Sequence, residues 1–268
     1  MRRYGERAVV SVTQLTKRYG PVTALGDVSF SIKAPGDNGR VSAPNNGPQP
    51  GEVLGLIGPN GSGKTTLFEC LAGVLPADDG AVLHDGVPVP VSARSSLFFY
   101  MPDGIAPWPR QTVRWGLSFV SGLFSSLTSR SASTSAAGRQ AIESDLGLTS
   151  LLDARIGELS KGQRKRVLLG MGLLTPQPIL LADEPFDGLD LRQTREIGAA
   201  LRRAAAAGRT LFLSIHQIAD AARVCDRFVL LSGGRVRGEG TIADIKRTAE
   251  SMHHAATESL EDAFLALT

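Results

Sequence analysis

The sequence predicts an α/β protein: a mainly parallel sheet covered by helices, an N-terminal antiparallel β part and an inserted helical subdomain. Three observations predict it. The apolar runs "GEVLGLIG" (51–58), "SLFFYM" (96–101), "PILLAD" (178–183) and "TLFLSIH" (210–216) alternate with helical segments, the pattern of strands buried on both faces. Two β-rich runs, "AVVSVTQL" (8–15) and "DVSFSI" (27–32), precede them. One stretch, 107–158, interrupts the alternation with helical and Ser-rich sequence.

Taken in order, the two β-rich runs lead into residues 34–50, where ten of seventeen residues are Pro, Gly or Asn. Such a composition cannot support a packed element, so the segment is expected to be a flexible insertion. A strand then runs into a Gly-rich loop, and a helix is expected from Lys64 to about Ala72. Within 107–158, "VRWGLSFVSGLF" (113–124) reads as a helix. "SSLTSRSASTSAAG" (125–138) carries eight Ser/Thr in fourteen residues and reads as a flexible connector. "QAIESDLGLTSLLDARIGEL" (140–159) returns to helical spacing. Helices over Lys161–Leu174, Leu191–Ala207 and Ile218–Cys225 alternate with the last strands, and "RFVLLSGGRVRGEG" (227–240) reads as a hairpin. "TIAD" (241–244) and "SLED" (259–262) have capping-box spacing and open two short closing helices. No internal repeat is present, and residues 1–268 are expected to form a single domain.

Bulk composition narrows the function. With 268 residues and 42% hydrophobic content the chain can bury a sizeable core. No run approaches the roughly 18 apolar residues that span a bilayer, and the basic N-terminus lacks a signal-peptide core. Cys70 and Cys225 fit no metal spacing and read as reduced thiols. A cytoplasmic protein is therefore expected. The net charge of +3 is too small to imply nucleic acid, although it suits work near an anionic membrane face.

The chemistry sits in two stretches. "GPNGSGKTT" places Gly58, Pro59, Asn60, Gly61, Ser62, Gly63, Lys64, Thr65 and Thr66 between a strand and a helix. It satisfies G-x-x-x-x-G-K-[ST]. The glycines let backbone N–H groups turn toward phosphate, Lys64 supplies a cation to the β- and γ-phosphates, and the Thr65 hydroxyl can hold Mg²⁺. The α/β protein is thus expected to have a P-loop NTPase core. "ILLADEP" (179–185) is an apolar strand ending in two acids. Such a strand can deliver Asp183 to Mg²⁺ and leave Glu184 as general base for an attacking water.

A second glycine-bearing segment, "LSKGQ", comprises Leu159, Ser160, Lys161, Gly162 and Gln163. On its own it is a helix start, because Ser160 and Gln163 have capping-box spacing. A helix N-terminus also suits an anion. Together with "GPNGSGKT" and "ILLADEP" it makes the chain resemble the ATP-binding-cassette (ABC) ATPases. "LSKGQ" resembles their signature motif, and "DGLD" (187–190), with Gly188, Leu189 and Asp190, resembles their D-loop. "SIHQ" puts His216 where the switch histidine belongs, and "KRYG" puts Tyr19 where the family stacks an aromatic on adenine. Read without the resemblance, Tyr19 is a half-buried strand-end aromatic and His216 a satisfied structural residue.

The resemblance covers nearly the whole chain and implies ATP and Mg²⁺ as cofactors. It implies that Ser160 and Gly162 touch the γ-phosphate of ATP held by a neighbour's P-loop. The partners it implies are a second nucleotide-binding subunit, as homodimer or heterodimer, and a transmembrane permease on a separate chain. The chain would be peripheral on the inner face of the cell membrane, with 107–158 contacting that permease. The short C-terminus, "ESLEDAFLALT" (258–268), resembles cassettes of two-component exporters and lacks the small β-domain that many importer cassettes append. The expected function is an ATP-hydrolysing subunit powering a transporter, an exporter in this reading. Rivals are a soluble ABC-type ATPase acting on ribosomes or DNA, and a P-loop kinase of small molecules. The first usually fuses two cassettes or inserts a coiled coil, and the second needs neither "LSKGQ" nor Glu184.

One departure stands out. Where the family usually has Gln after a "YxP" strand end, "YMPD" supplies Asp103. A Gln amide both donates and accepts, whereas an ionised Asp only accepts. Asp103 is either a Mg²⁺ or water ligand with altered properties or a turn residue. For the insertion, replacing residues 34–50 with a short Gly-Ser link should leave the melting temperature nearly unchanged. Loop closure changes by only about 0.6 kcal/mol per doubling of length, so a large fall in thermal unfolding would show that the segment packs.

Overall fold

A computed structural model describes residues 9–33, 50–125, 136–253 and 259–267. Most of the insertion (34–49) and of the Ser-rich connector (126–135) lies outside the described residues.

The first sheet is antiparallel and four-stranded. β1 (Val9–Tyr19) and β2 (Val22–Lys33) form a hairpin through Gly20, and β4 (Asp79–His84) and β5 (Val87–Pro88) extend it in the order β2-β1-β4-β5. The first two strands are longer than the β-rich runs suggested, because cross-strand pairing carries them to the turn, with Tyr19 opposite Val22. The β4–β5 hairpin carries a local signal in Asp85-Gly86. Asp85 and Gly86 both have positive φ (56° and 80°), the requirement of the tight Asp-Gly hairpin turn.

The second sheet carries the site. It contains β3 (Val53–Ile57), β6 (Phe98–Met101), β7 (Ile179–Ala182), β8 (Thr210–Ser214), β9 (Arg227–Ser232) and β10 (Arg235–Gly240), in the order β10-β9-β3-β8-β7-β6. All neighbours are parallel except the β9–β10 hairpin at the edge. Every residue of β3, β7 and β8 is buried, which is why these stretches read as continuous apolar runs.

Alternation along each strand divides its residues between two cores. Leu54, Leu56, Ile179, Leu181 and Phe212 pack with the antiparallel sheet and with α1 (Lys64–Ala72). On that face the Phe212 ring meets Phe68 of α1 at 5.0 Å and Phe30 of β2 at 5.6 Å between centroids. Val53, Ile57, Leu180, Ala182, Leu211 and Leu213 face the other core. That core is built by α2 (Val113–Ser125), α4 (Lys161–Leu173), α5 (Leu191–Ala206), α6 (Ile218–Val224) and the closing helices α7 (Ile242–His253) and α8 (Leu260–Leu267). Thr241 with Asp244, and Ser259 with Asp262, make the expected reciprocal caps.

The stretch 140–159, read as returning to helical spacing, is only partly α-helical. Between α2 and α4, α3 spans Ala136–Asp145 and stops where Gly147 enters the left-handed region (φ 61°) and Leu148 N–H bonds Glu143 O. This is a glycine helix stop. Two single turns, Thr149–Leu151 and Ile156–Glu158, complete the segment. Helix α3 takes up Ala136–Gly138, which composition had assigned to the connector. α2 crosses α4 closely: a Cβ on Gly116 would lie 2.4 Å from the Met171 side chain.

Phe212→Ala removes the ring shared by α1, β2 and the parallel sheet. It should cost about 3–5 kcal/mol, measurable as a lower urea midpoint with an unchanged slope.

Candidate functional site

Four strands end in candidate site residues. The carboxyl end of β3 enters the Gly58–Thr66 loop, β6 leads to Asp103, β7 to Asp183 and Glu184, and β8 to Ser214 and His216. Burial of both sheet faces confines polar groups to these ends, the usual place for ligands in open parallel sheets.

The loop after β3 has the backbone of a phosphate cradle. Gly61 and Gly63 have φ of 77° and 103°, and a Cβ on Gly58 would stand 2.2 Å from Leu231 O. Gly63 provides no side-chain cap to α1, so the first N–H groups of that helix are available to an anion. The Ser62 hydroxyl is buried and without a hydrogen-bond partner among the described residues. Lys64 arches back, donating to Gly58 O at 2.8 Å and Pro59 O at 3.1 Å. Burial lowers its ammonium pKa, against the attraction of Glu184 and Asp183. Pro59, Asn60 and Gly61 are exposed, and Thr66 lies in the first turn of α1.

Thr65 and Asp183 meet across 118 residues of sequence, Oγ1 donating to Oδ2 at 2.8 Å. A hydroxyl and a carboxylate side by side suit a hard cation such as Mg²⁺. The second Asp183 oxygen accepts from Ser214 Oγ at 2.5 Å.

Glu184 is fixed from several sides. Its φ is 49°, a left-handed conformation that costs a non-glycine residue about 1–3 kcal/mol. Ser214 Oγ accepts from its N–H at 2.9 Å, Lys165 Nζ donates to its carbonyl at 2.5 Å, and its carboxylate touches His216 Nε2. A cleft of about 50 Å³ beside Glu184 and His216 is lined by Phe186, Ile215 and Gln217.

Asp103 lies in the turn that follows β6. Its carboxylate pairs with Lys165 Nζ at 2.5 Å, and the Lys165 side chain is only 4% exposed. The carboxylate oxygens of Asp103, Glu184 and Asp187 come within 4.8 Å of one another.

The "LSKGQ" segment forms the N-terminus of α4 with the anticipated capping box: Gln163 N–H bonds Ser160 Oγ, and Ser160 N–H bonds Gln163 Oε1. Leu159 is buried. Lys161 donates to Asp187 at 2.5 Å. That bond lowers the Asp187 pKa and raises the Lys161 pKa. A Cβ on Gly162 would meet Leu189, Gln193 and the Gly188 carbonyl at 3.0–3.3 Å, so the segment packs on the 187–190 loop of its own chain. Asp190 caps α5. Tyr19 is 48% exposed beside the hairpin turn, with Lys17 Nζ 5.8 Å from its ring centre.

The structure thus brings together Lys64, Thr65, Asp183, Glu184 and His216, with Asp187 at the edge of that group, and packs the 159–163 segment on the 187–190 loop. Sequence reasoning assigned no role to Lys165 or Ser214. Nothing in "QRKRV" separates Lys165 from its neighbours Arg164 and Arg166; its place against Asp103 and the Asp183 and Glu184 carbonyls sets it apart. Ser214 was legible as the polar end of an apolar strand, two residues before His216.

The profile of the family described as ABC transporter matches residues 45–187, which include the phosphate loop, the Asp183–Glu184 strand end and Ser160–Gln163. The chain belongs to the ABC transporter family. It is 35% identical over 233 residues to the Nod factor export ATP-binding protein I of Rhizobium etli, covering 84% of this chain and 70% of that protein. The protein of the same name from Burkholderia orbicola is 32% identical over 242 residues, covering 87% and 71%. A solved ATP-binding subunit of an ABC transporter superposes with a TM-score of 0.76 at 26% identity, covering 97% of this chain and 99% of that one. A bacterial Atm1-family ABC exporter with ATP bound gives 0.70 at 23% identity over 94% of this chain and 43% of that one, a likeness of fold. The ABC chain described here is accordingly an ATP-binding ATPase subunit.

Ser214→Ala would leave the buried Asp183 carboxylate short of a donor and the Glu184 N–H short of an acceptor. It should cost about 1–3 kcal/mol in chemical unfolding and lower ATP hydrolysis while ATP is still bound. Unchanged stability and turnover would show that these bonds hold nothing in place.

Proposed function

We propose that this ABC subunit powers a membrane exporter by ATP-driven closure of a dimer of nucleotide-binding subunits. The observation that carries the reading is the set Thr65–Asp183 and Glu184–His216 gathered at the ends of parallel strands beside the phosphate loop. Export is supported by the likeness to the Nod factor export ATP-binding proteins. No helix among the described residues is long and apolar enough to cross a membrane, which fits a permease on another chain and a place at the cytoplasmic face of the cell membrane.

In this reading Tyr19 stacks on adenine, Gly58–Thr66 cradle the phosphates, and Thr65 and Asp183 would hold Mg²⁺, which neutralises phosphate charge when bound. Glu184 takes a proton from the attacking water. His216 orients the Glu184 carboxylate and faces the same cleft. Positioning and electrostatics carry the transfer step.

The dimer explains the second glycine segment. Gly58 and Gly63 neighbour Leu231, Ala24 and Leu25, whereas Gly162 neighbours Gly188, Leu189 and Gln193. The two loops share none of these neighbours, which supports Ser160 and Gly162 serving ATP held by the partner. Segment 107–158 is then the subdomain that meets the permease. It presents Trp108, Trp115 and Phe119, each about two-fifths exposed, with Trp115 and Phe119 stacked at 5.0 Å. Clustered exposed aromatics of this kind mark interaction surfaces.

Glu184→Gln keeps the shape and removes the base. Hydrolysis should fall about 10²-fold or more, and ATP should trap a dimer on a sizing column. Near-normal hydrolysis by this variant would place the base elsewhere.

A further inference from the structure

Lys165 is the best-buried ammonium at the site that the proposed mechanism does not use. It lies on the second turn of α4, and its Nζ reaches three oxygens: Asp103 Oδ1 at 2.5 Å, Glu184 O at 2.5 Å and Asp183 O at 3.5 Å. A buried ammonium is tolerated only when it is paired and its protons are accepted. Here the two carbonyls take protons and Asp103 supplies the charge. The contact to Glu184 is the one with mechanical content. Residue 184 has a left-handed backbone, so its peptide must be held from outside. The Ser214 hydroxyl holds its N–H side, and Lys165, with Asp187 N–H at 3.2 Å, holds its carbonyl side.

We propose that Lys165 is a positioning residue for Glu184, locking the backbone conformation that aims its carboxylate, and that Asp103 serves as the counterion of Lys165 rather than as a Mg²⁺ ligand. The inference rests on Glu184 being the general base. It gives the carboxylate at 103 a reason. An amide there would leave Lys165 buried without a balancing charge, and Asp103 without Lys165 would put an unpaired negative charge beside Glu184 and Asp187. The two residues form one unit drawn from separate elements, the turn after β6 and the helix that begins with Ser160. The same helix therefore carries a phosphate-facing cap at one end of its first turns and the support of Glu184 one turn later.

The test is a set of full-length variants: Lys165→Gln, Asp103→Asn, Asp103→Gln with Lys165→Gln, and each Lys165 change in a Glu184→Gln background. Lys165→Gln should lower kcat about tenfold to a hundredfold, the scale of a misplaced catalytic group, with the KM for ATP changing less than about threefold. Asp103→Asn should lower kcat less and leave the Mg²⁺ dependence of fluorescent-ATP binding unmoved. The double replacement removes both charges together and should recover much of the activity lost in Lys165→Gln. In the Glu184→Gln background Lys165→Gln should bring no further fall, because the group it positions is gone. Wild-type kcat in Lys165→Gln overturns the positioning role, as does an equal fall with and without Glu184. A raised Mg²⁺ requirement for nucleotide binding in Asp103→Asn overturns the counterion assignment. If Lys165→Gln fails to fold, Asp103→Asn and Lys165→Arg still decide: the first must lose turnover at constant Mg²⁺ dependence, and the second must keep most of it. Retained hydrolysis in Glu184→Gln alone would instead sink the general-base reading, a result separable from all of these.

Discussion

Burial of both faces of the parallel sheet is the constraint on which the rest of this chain depends. Once β3, β7 and β8 are apolar along their whole length, no polar side chain can be carried within them except at an end. The carboxyl ends then become the one place where Lys64, Asp183, Glu184 and His216 can approach each other from distant parts of the sequence. The same constraint accounts for the helices. A sheet with alternate residues serving two cores must be closed on one side by α1 and the antiparallel sheet, and on the other by α2 and α4–α8.

Charge at the strand ends is crowded and nearly balanced. Asp103, Asp183, Glu184 and Asp187 face Lys64, Lys161 and Lys165, each lysine tied to the main chain or to a carboxylate nearby. Such closeness is stable because hydrogen bonds are shared: Ser214 serves Asp183 and Glu184 at once, and Lys165 serves Asp103 and Glu184. Removing one member leaves another unsatisfied in a low-dielectric setting, which makes the cluster act as a unit.

Much of this was legible because local rules and tertiary context agree. The boundaries of α1 follow from the glycines of the phosphate loop, and the Ser160–Gln163 cap from its spacing. The ends of β7 and β8 follow from apolar runs that stop at charged or polar residues. Elsewhere the local signal was weaker than the tertiary one. Residues 140–159 have helical spacing, yet Gly147 in the left-handed region ends the helix and the remainder wraps onto α4 as single turns. Lys165 was invisible because its role comes from a neighbour 62 residues away, and Asp103 was read by comparison with an amide instead of by its eventual partner.

The cap at the start of α4 has a consequence for selectivity. Ser160 Oγ accepts the Gln163 N–H within its own helix, and a hydroxyl has a single proton to give. With one of its two lone pairs committed, that oxygen keeps its proton and one further lone pair for whatever lies outside. A donor flanked by the free N–H groups of a helix start favours an electron-rich oxygen and disfavours a cation or another donor. The cap that starts the helix thus leaves one hydroxyl proton and the first N–H groups of α4 directed at the same outward surface.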